Sequence, residues 1–121
     1  MHTLYALDVL PGYLEMNQKE KDNIIQMYEE YGYQCFICGK RATQRAHVLA
    51  NTKLNRKLYG DAVIDSPLNW LPACGLEHNK QIDIGTIPVN QQAVADIINT
   101  DMSYKDKRHY VEELVKERIK E

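Results

Sequence analysis

The chain has 121 residues, a hydrophobic share of 44% and a formal net charge of −2. This length and composition are typical of one folded globular domain, so we expect residues 1–121 to form a single domain. No apolar run approaches the roughly 20 residues of a membrane span, and the N-terminus lacks the basic and apolar regions of a signal peptide, so we expect a cytoplasmic protein without a membrane partner.

The first predicted element is an amphipathic helix over residues 15–31. Ile24 and Tyr28 recur at helical spacing on one face, and charged residues occupy the other face. The Pro11-Gly12 pair before this helix predicts a turn.

Two short strands are predicted in the middle of the chain, over residues 44–50 and 68–73, with a loop over residues 51–66 between them. Three further helices are predicted after the second strand, over residues 76–84, 90–99 and 104–120. We therefore expect an α+β fold, in which helices flank a strand–loop–strand–helix core.

Positive charge is concentrated in one stretch of the chain. Residues 1–34 carry two lysines against six acidic residues, and residues 61–100 carry one lysine against five. Residues 40–60 contain no acidic residue and six basic ones, which are Lys40, Arg41, Arg45, Lys53, Arg56 and Lys57. The net charge alone argues against a nucleic-acid partner, but such a local concentration can bind a phosphate backbone. A merely solvated loop is the alternative interpretation.

Three cysteines and one histidine have the spacing of a structural zinc site. Cys35 and Cys38 lie in a short aromatic segment that ends in Gly-Lys, as in a zinc knuckle, and Cys74 precedes His78 by one helical turn. Zinc takes four ligands tetrahedrally, and three cysteines with one histidine are a standard set. Glu77 is a rival fourth ligand, but imidazole suits zinc better beside thiolates. The alternatives are thiols without a metal or a redox motif at Cys35 and Cys38.

The order of these pieces resembles the small HNH endonucleases of the ββα-metal fold, whose motif is often embedded between two zinc-binding pairs. The resemblance covers about residues 33–90, and rests on C-F-I-C-G-K, R-A-H-V-L-A, D-S-P-L-N-W-L-P-A-C and C-G-L-E-H-N-K-Q-I-D-I-G. It implies an endonuclease that hydrolyses DNA phosphodiester bonds with the help of a metal ion. The residues outside this core would then be flanking helices.

The resemblance assigns His47 and Asn69 to catalysis. His47 has the position of the general base on the first strand, and a neutral imidazole suits that role near physiological pH. Asn69 has the position of the residue that orients this base and braces the loop between the strands. Alone, the histidine would be a structural group and the asparagine a turn residue.

The third motif position holds a ligand of a catalytic divalent cation, and two alignments compete for it. If Glu77 completes the zinc site, His78 is this ligand; if His78 completes the zinc site, Asn79 is. Many family members carry a second ligand four residues later, on the same helix face. Ile82 follows His78 by four residues, whereas Asp83 follows Asn79. We therefore expect His78 on zinc, and Asn79 with Asp83 on Mg²⁺ or Mn²⁺.

One position departs from the family pattern, because many members carry Asp or His where this chain has Ala46. The expected nucleic-acid contacts are Arg45, Lys53, Arg56, Lys57 and Lys80. DNA is the expected partner, while RNA as a partner and a homodimer stay open. The alternative function is a non-catalytic zinc-binding module that binds nucleic acid or protein.

Overall fold

The computed structural model describes residues 13–120, so the turn expected at Pro11-Gly12 lies outside the described residues. Helices and strands follow in the order α1 (Gln18–Glu30), β1 (Gln44–His47), α2 (Lys53–Tyr59), α3 (Asp61–Ile64), β2 (Trp70–Ala73), α4 (Leu76–Ile82), α5 (Pro88–Asn99) and α6 (Tyr104–Lys120). Short 3-10 helices cover Tyr13–Glu15 and Pro67–Asn69. The expected α+β class is confirmed. None of the helices in this part of the chain is long and apolar enough to cross a membrane.

The two strands form an antiparallel pair in which Gln44 lies opposite Ala73 and His47 lies opposite Trp70. Both strands are shorter than predicted. Beyond His47 the amide of Val48 still donates to the backbone oxygen of Asn69 at 2.8 Å, but the next amide, that of Leu49, donates to the side-chain oxygen of Asn69 at 2.7 Å. A side chain thus replaces the hydrogen bonds of a continued ladder.

The prediction of an open loop over residues 51–66 is wrong, because α2 and α3 lie within it. Thr52 begins α2 by accepting a hydrogen bond from the amide of Asn55 at 3.0 Å. Gly60, at a φ of 95° that favours glycine, separates the two helices. The side chain of Asn55 is buried and donates to the carbonyl oxygen of Ala50 at 2.9 Å, which anchors α2 to the chain leaving β1.

Apolar side chains pack on both faces of the two-stranded sheet. On one face Ala46 and Leu71 belong to the larger core, which also contains apolar residues of α3, α4, α5 and α6. On the other face Trp70 packs with Ile24 and Tyr28 of α1 in a smaller cluster. The alternation of side chains along a strand therefore divides the molecule into an α1 side and a main-core side.

Arg108 of α6 fixes the segment that enters β2. Its buried guanidinium group donates to the carbonyl oxygens of Pro67, Leu68 and Trp70 at 2.8 to 3.3 Å, and pairs with Glu30 of α1 at 3.1 Å. Three elements distant in sequence are held by this one side chain. Because breaking a buried hydrogen-bonded charge leaves its partners unsatisfied, this contact is costly to lose.

Candidate metal centre and strand-end site

The four predicted zinc ligands converge at one end of the sheet. Cys35 and Cys38 lie in a tight turn, Cys74 directly follows β2, and His78 lies in the first turn of α4. Their ligand atoms all lie within 4.8 Å of one another. The turn is closed by the amide of Gly39, which donates to the carbonyl oxygen of Cys35 at 2.9 Å.

The spacing of the ligand atoms fits a tetrahedral zinc ion. Sγ of Cys38 lies 3.5 Å from Sγ of Cys74, and Nδ1 of His78 lies 3.3 Å from Sγ of Cys74 and 3.5 Å from Sγ of Cys35. Zinc bonds of roughly 2.3 Å to sulfur and 2.0 Å to nitrogen place tetrahedral ligands about 3.5 Å apart. The cluster is therefore able to hold a metal ion and is compatible with structural zinc.

Local hydrogen bonds prepare one thiol of this cluster for metal binding. Burial raises the pKa of Cys35, but the backbone N–H groups of Cys38 and Ile37, together with the His78 ring, lower it to about 6. A hydrogen bond with the Cys38 thiol raises the pKa of Cys74 to about 11. Because zinc binds thiolates, metal binding must release protons from this cluster.

His78, and not Glu77, belongs to the ligand cluster, as expected. Glu77 is exposed and lies beside Lys80 and Arg118 on the outer surface. Within residues 13–120 no second group of three or more cysteine, histidine or acidic side chains is close enough to hold a metal. Asn79 with Asp83 is not a group of this kind, because it contains one acid and one asparagine.

His47 lies at the opposite end of the sheet and is largely buried against Trp70, with 6.2 Å between the ring centroids. Burial lowers the pKa of His47 to about 4, and the neighbouring charges of Arg45 and Arg56 add to this effect, while Asp65 opposes it. The imidazole is therefore neutral at physiological pH, which is the form able to accept a proton.

Asn69 is fully buried and clamps the chain just beyond His47. Its Oδ1 accepts from the amide of Leu49 at 2.7 Å, and its Nδ2 donates to the carbonyl oxygens of Leu49 and Ile64 at 3.1 Å each. These contacts agree with the bracing expected of this residue. They satisfy a buried side-chain amide and set the direction in which the chain leaves β1.

The helix argument that paired Asn79 with Asp83 is wrong, because α4 ends at Ile82. Oδ1 of Asp83 accepts from the amide of Gly85 at 2.7 Å, a turn that competes with helix continuation. The two residues therefore do not share a helix face.

Asn79 and Asp83 also differ in their position relative to His47. Nδ2 of Asn79 donates to Oε1 of Gln44 at 3.0 Å, and Gln44 points to the sheet face opposite His47. The amide next after Asp83 donates to the carbonyl oxygen of Val48 at 2.8 Å, which keeps Asp83 near the strand end. Among the described residues, no hydrogen bond joins His47 to either of them.

Ala46, at the position where many HNH endonucleases carry a metal ligand, lies fully buried in the main core. An ionised side chain at this position would be surrounded by apolar groups and would be strongly destabilising. In this chain, the residue type at position 46 is therefore set by packing.

Two of the five predicted nucleic-acid contacts are engaged within the protein. Arg45 pairs with Glu20 at 2.9 Å and stacks on the Trp70 ring at 4.7 Å. Arg56 pairs with Asp61 and Asp65. These two acids follow the basic stretch in sequence and neutralise part of its positive charge. The remaining three contacts, Lys53, Lys57 and Lys80, are exposed.

Sequence reasoning missed Asn55 and Arg108, which together with Asn69 are the buried polar side chains that hold the segments around β1 and β2. Asn55 follows Thr52 by three residues, which is a capping pattern that indicates the start of α2. Arg108 gives no such local signal, since its partners lie about forty positions earlier in the chain.

Comparison with known proteins gave no match to any family model, any curated protein or any solved structure. The resemblance to HNH endonucleases therefore depends on the residues and their order alone.

Proposed function

We propose that this chain is a metal-dependent endonuclease of the HNH type, which hydrolyses DNA phosphodiester bonds with His47 as the general base. The observation that carries the proposal is the clamp of Asn69 on Leu49, two residues after a histidine held neutral at the end of β1. The order of strand, strand and helix around a Cys3His cluster supports it.

In the proposed reaction His47 accepts a proton from a water molecule, which attacks phosphorus in line with the leaving oxygen. Its pKa of about 4 keeps the imidazole deprotonated throughout the neutral range, and it also makes the ring a weaker base than one whose pKa lies near the operating pH. Asn69 acts indirectly, since its hydrogen bonds hold the backbone beyond His47 and limit the positions that the ring can take.

Mg²⁺ or Mn²⁺ is the proposed catalytic cation, and a bound cation of this kind would stabilise the charge that develops on the phosphate. The carboxylate of Asp83 is the kind of hard oxygen ligand that such ions prefer, whereas Asn79 bonds to Gln44 on the sheet face opposite His47. We assign Asp83 the larger role, because the hydrogen bond between the amide of Ile84 and Val48 keeps it near the strand end. The zinc ion is separate and structural, joining the Cys35 turn to the β2–α4 junction.

Lys53, Lys57 and Lys80 are the proposed contacts to the DNA backbone, since they are exposed. Arg45 and Arg56 would have to exchange their carboxylate partners for phosphates. Their net contribution to binding should therefore be smaller than that of a free cation.

The test is plasmid cleavage by the zinc-loaded protein in Mg²⁺ or Mn²⁺. We expect His47→Ala to lower the rate by about 10²–10⁴-fold, which is typical of a lost general base. His109→Ala is the matched control, because His109 is an exposed histidine of α6, and it should cleave like the wild type. Equal cleavage by wild type and His47→Ala would show that the base is wrongly assigned.

A second candidate function is a non-catalytic zinc module that binds nucleic acid. It is favoured by the burial of Ala46 in the core and by the contact of Asn79 with Gln44, on the sheet face opposite His47. This candidate predicts that the zinc-loaded protein retards duplex DNA in a gel but does not cleave it with either cation. Cleavage that is abolished by His47→Ala would exclude it.

A further inference from the structure

The outer face of α2 presents two leucines to solvent next to two lysines. Leu54 is 62% exposed and Leu58 is 58% exposed, which is unusual for two large apolar side chains one helical turn apart. Lys53 and Lys57, also one turn apart, form an adjacent exposed row. The face is therefore a small apolar ridge beside a positive one.

This face cannot turn inward to bury its leucines, because the opposite side of α2 is already anchored. Asn55 is buried and bonded to Ala50, and Arg56 holds Asp61 and Asp65 of the following segment. The chain between His47 and α2 is also fixed, through the clamp of Asn69. The ridge thus has a set position relative to His47.

Charge on the two sides of α2 favours an anionic occupant of this face. Asp61 and Asp65, the two acids near α2, are exposed and paired with Arg56, and among the described residues no salt bridge involves Lys53 or Lys57. A second copy of the chain is a poor occupant. Two leucines cover far less than the roughly 800 Å² per partner of a stable interface, and a two-fold contact would bring the lysines of both copies together.

We propose that this face is a minor-groove contact to duplex DNA, in which Leu54 and Leu58 insert at a base step while Lys53 and Lys57 bind the flanking phosphates. The inference rests on the proposed function only in taking DNA as the substrate. Apolar side chains inserted in this way partly unstack the bases and kink the duplex. Because α2 is tied to the residues that follow His47, the kink forms beside the strand end.

The test uses the full-length zinc-loaded protein and a short duplex with a fluorophore at each end, without added Mg²⁺ or Mn²⁺. Affinity is measured by anisotropy and bending by energy transfer. Leu54→Ala combined with Leu58→Ala should bind about tenfold more weakly and lose the bend. Ile87→Ala combined with Val89→Ala is the matched control, since it truncates two exposed aliphatic side chains at the start of α5, and it should behave like the wild type.

The lysines are tested through the salt dependence of binding. Lys53→Gln and Lys57→Gln should each reduce the slope of log K against log salt by about 0.9, as expected for one lost phosphate contact. The leucine variant should keep the wild-type slope, because it removes no charge.

The inference is overturned if the leucine variant binds and bends DNA like the wild type, or if none of the proteins binds duplex DNA. It is also overturned if the wild type self-associates at the concentrations of the assay and the leucine variant does not, since the face would then join two copies. Cleavage is scored separately. A protein that bends DNA through Leu54 and Leu58 but never cleaves it supports this inference and contradicts the proposed endonuclease.

Discussion

The two ends of the β1–β2 pair are held by different kinds of chemistry. The end at Gln44 and Ala73 lies next to four side chains, three thiols and one imidazole, that are close enough together to hold a metal ion. The end at His47 and Trp70 is held by Asn69, whose side chain binds backbone groups. The candidate metal site would join side chains from segments that are distant in sequence, whereas the Asn69 hydrogen bonds hold buried backbone groups directly. The two ends can therefore be perturbed separately by substitution.

Removal of zinc should have the largest effect on stability, and this effect should begin at the end of the sheet next to the Cys3His cluster. Structural zinc contributes on the order of 10 kcal/mol, which is comparable to the whole stability of a small domain. We expect Cys38→Ser to lose zinc and to unfold at a much lower temperature, whereas Glu77→Gln should keep both zinc and stability. Zinc content and thermal unfolding of the two variants check this. Loss of zinc from Glu77→Gln would mean that the fourth ligand is misassigned.

Ala46→Asp tests whether a carboxylate, which many HNH endonucleases carry at the matching position, can be introduced into this chain. Since Ala46 is fully buried in the apolar core between the two ends, we expect a loss of about 4 kcal/mol in the free energy of unfolding and no gain in cleavage. Urea unfolding gives the stability, and Ala62→Asp, at an exposed alanine of α3, is the control. A stable Ala46→Asp protein with faster cleavage would contradict the assignment of this position to packing.

Asn69→Ala should affect the hydrogen-bonded end and spare the metal end. The substitution leaves the buried amide and carbonyl groups of Leu49 without their side-chain partner, at a cost of about 3 kcal/mol, while the carbonyl oxygen of Ile64 keeps its hydrogen bond from Nε1 of Trp70. Zinc content should not change. Unfolding and metal analysis are compared with Asn99→Ala, an exposed asparagine at the end of α5. A protein that lost zinc together with stability would show that the two ends form one cooperative unit.

The smallest expected effect is the pH dependence that His47 adds to stability. Its folded pKa of about 4 lies below its unfolded value of about 6.5, so the unfolded chain binds more protons between these values and stability falls as the pH decreases through them. His47→Gln should therefore remove about 2 kcal/mol of the difference in unfolding free energy between pH 7 and pH 5. Both proteins are unfolded in urea at saturating zinc, and His109→Gln is the control. An unchanged difference would mean that His47 is exposed to water in solution.

The metal end could be predicted from the sequence, and much of the other end could not. Cys35, Cys38, Cys74 and His78 are two local pairs whose spacing itself reports the geometry that zinc requires. The position of His47 on a strand, and the bracing role of Asn69, also followed from local patterns and family resemblance.

The errors arose where distant residues decide the outcome. Arg45 pairs with Glu20, twenty-five positions earlier in the chain. The local sequence does not show this ion pair, so Arg45 was predicted to be available for nucleic acid. Leu54 and Leu58 of α2 have helical spacing, but the helix has only seven residues and both leucines face solvent, so its apolar pattern is too short to separate it from a loop. Asp83 was predicted to lie on a helix. Instead, its side chain accepts a hydrogen bond from the amide of Gly85, and the helix ends at Ile82.

The contact of Arg108 has a consequence for the order in which the molecule is built. The carbonyl oxygens of Pro67, Leu68 and Trp70, which flank Asn69, bind a guanidinium group that is synthesised only when α6 is made. The zinc ligands all precede α5, so the metal end can assemble on the ribosome while the entry to β2 still lacks its last partner. A nascent chain can therefore bring its candidate metal ligands together before the segment around Asn69 gains its contact with Arg108, and that segment is complete only after α6 has been made.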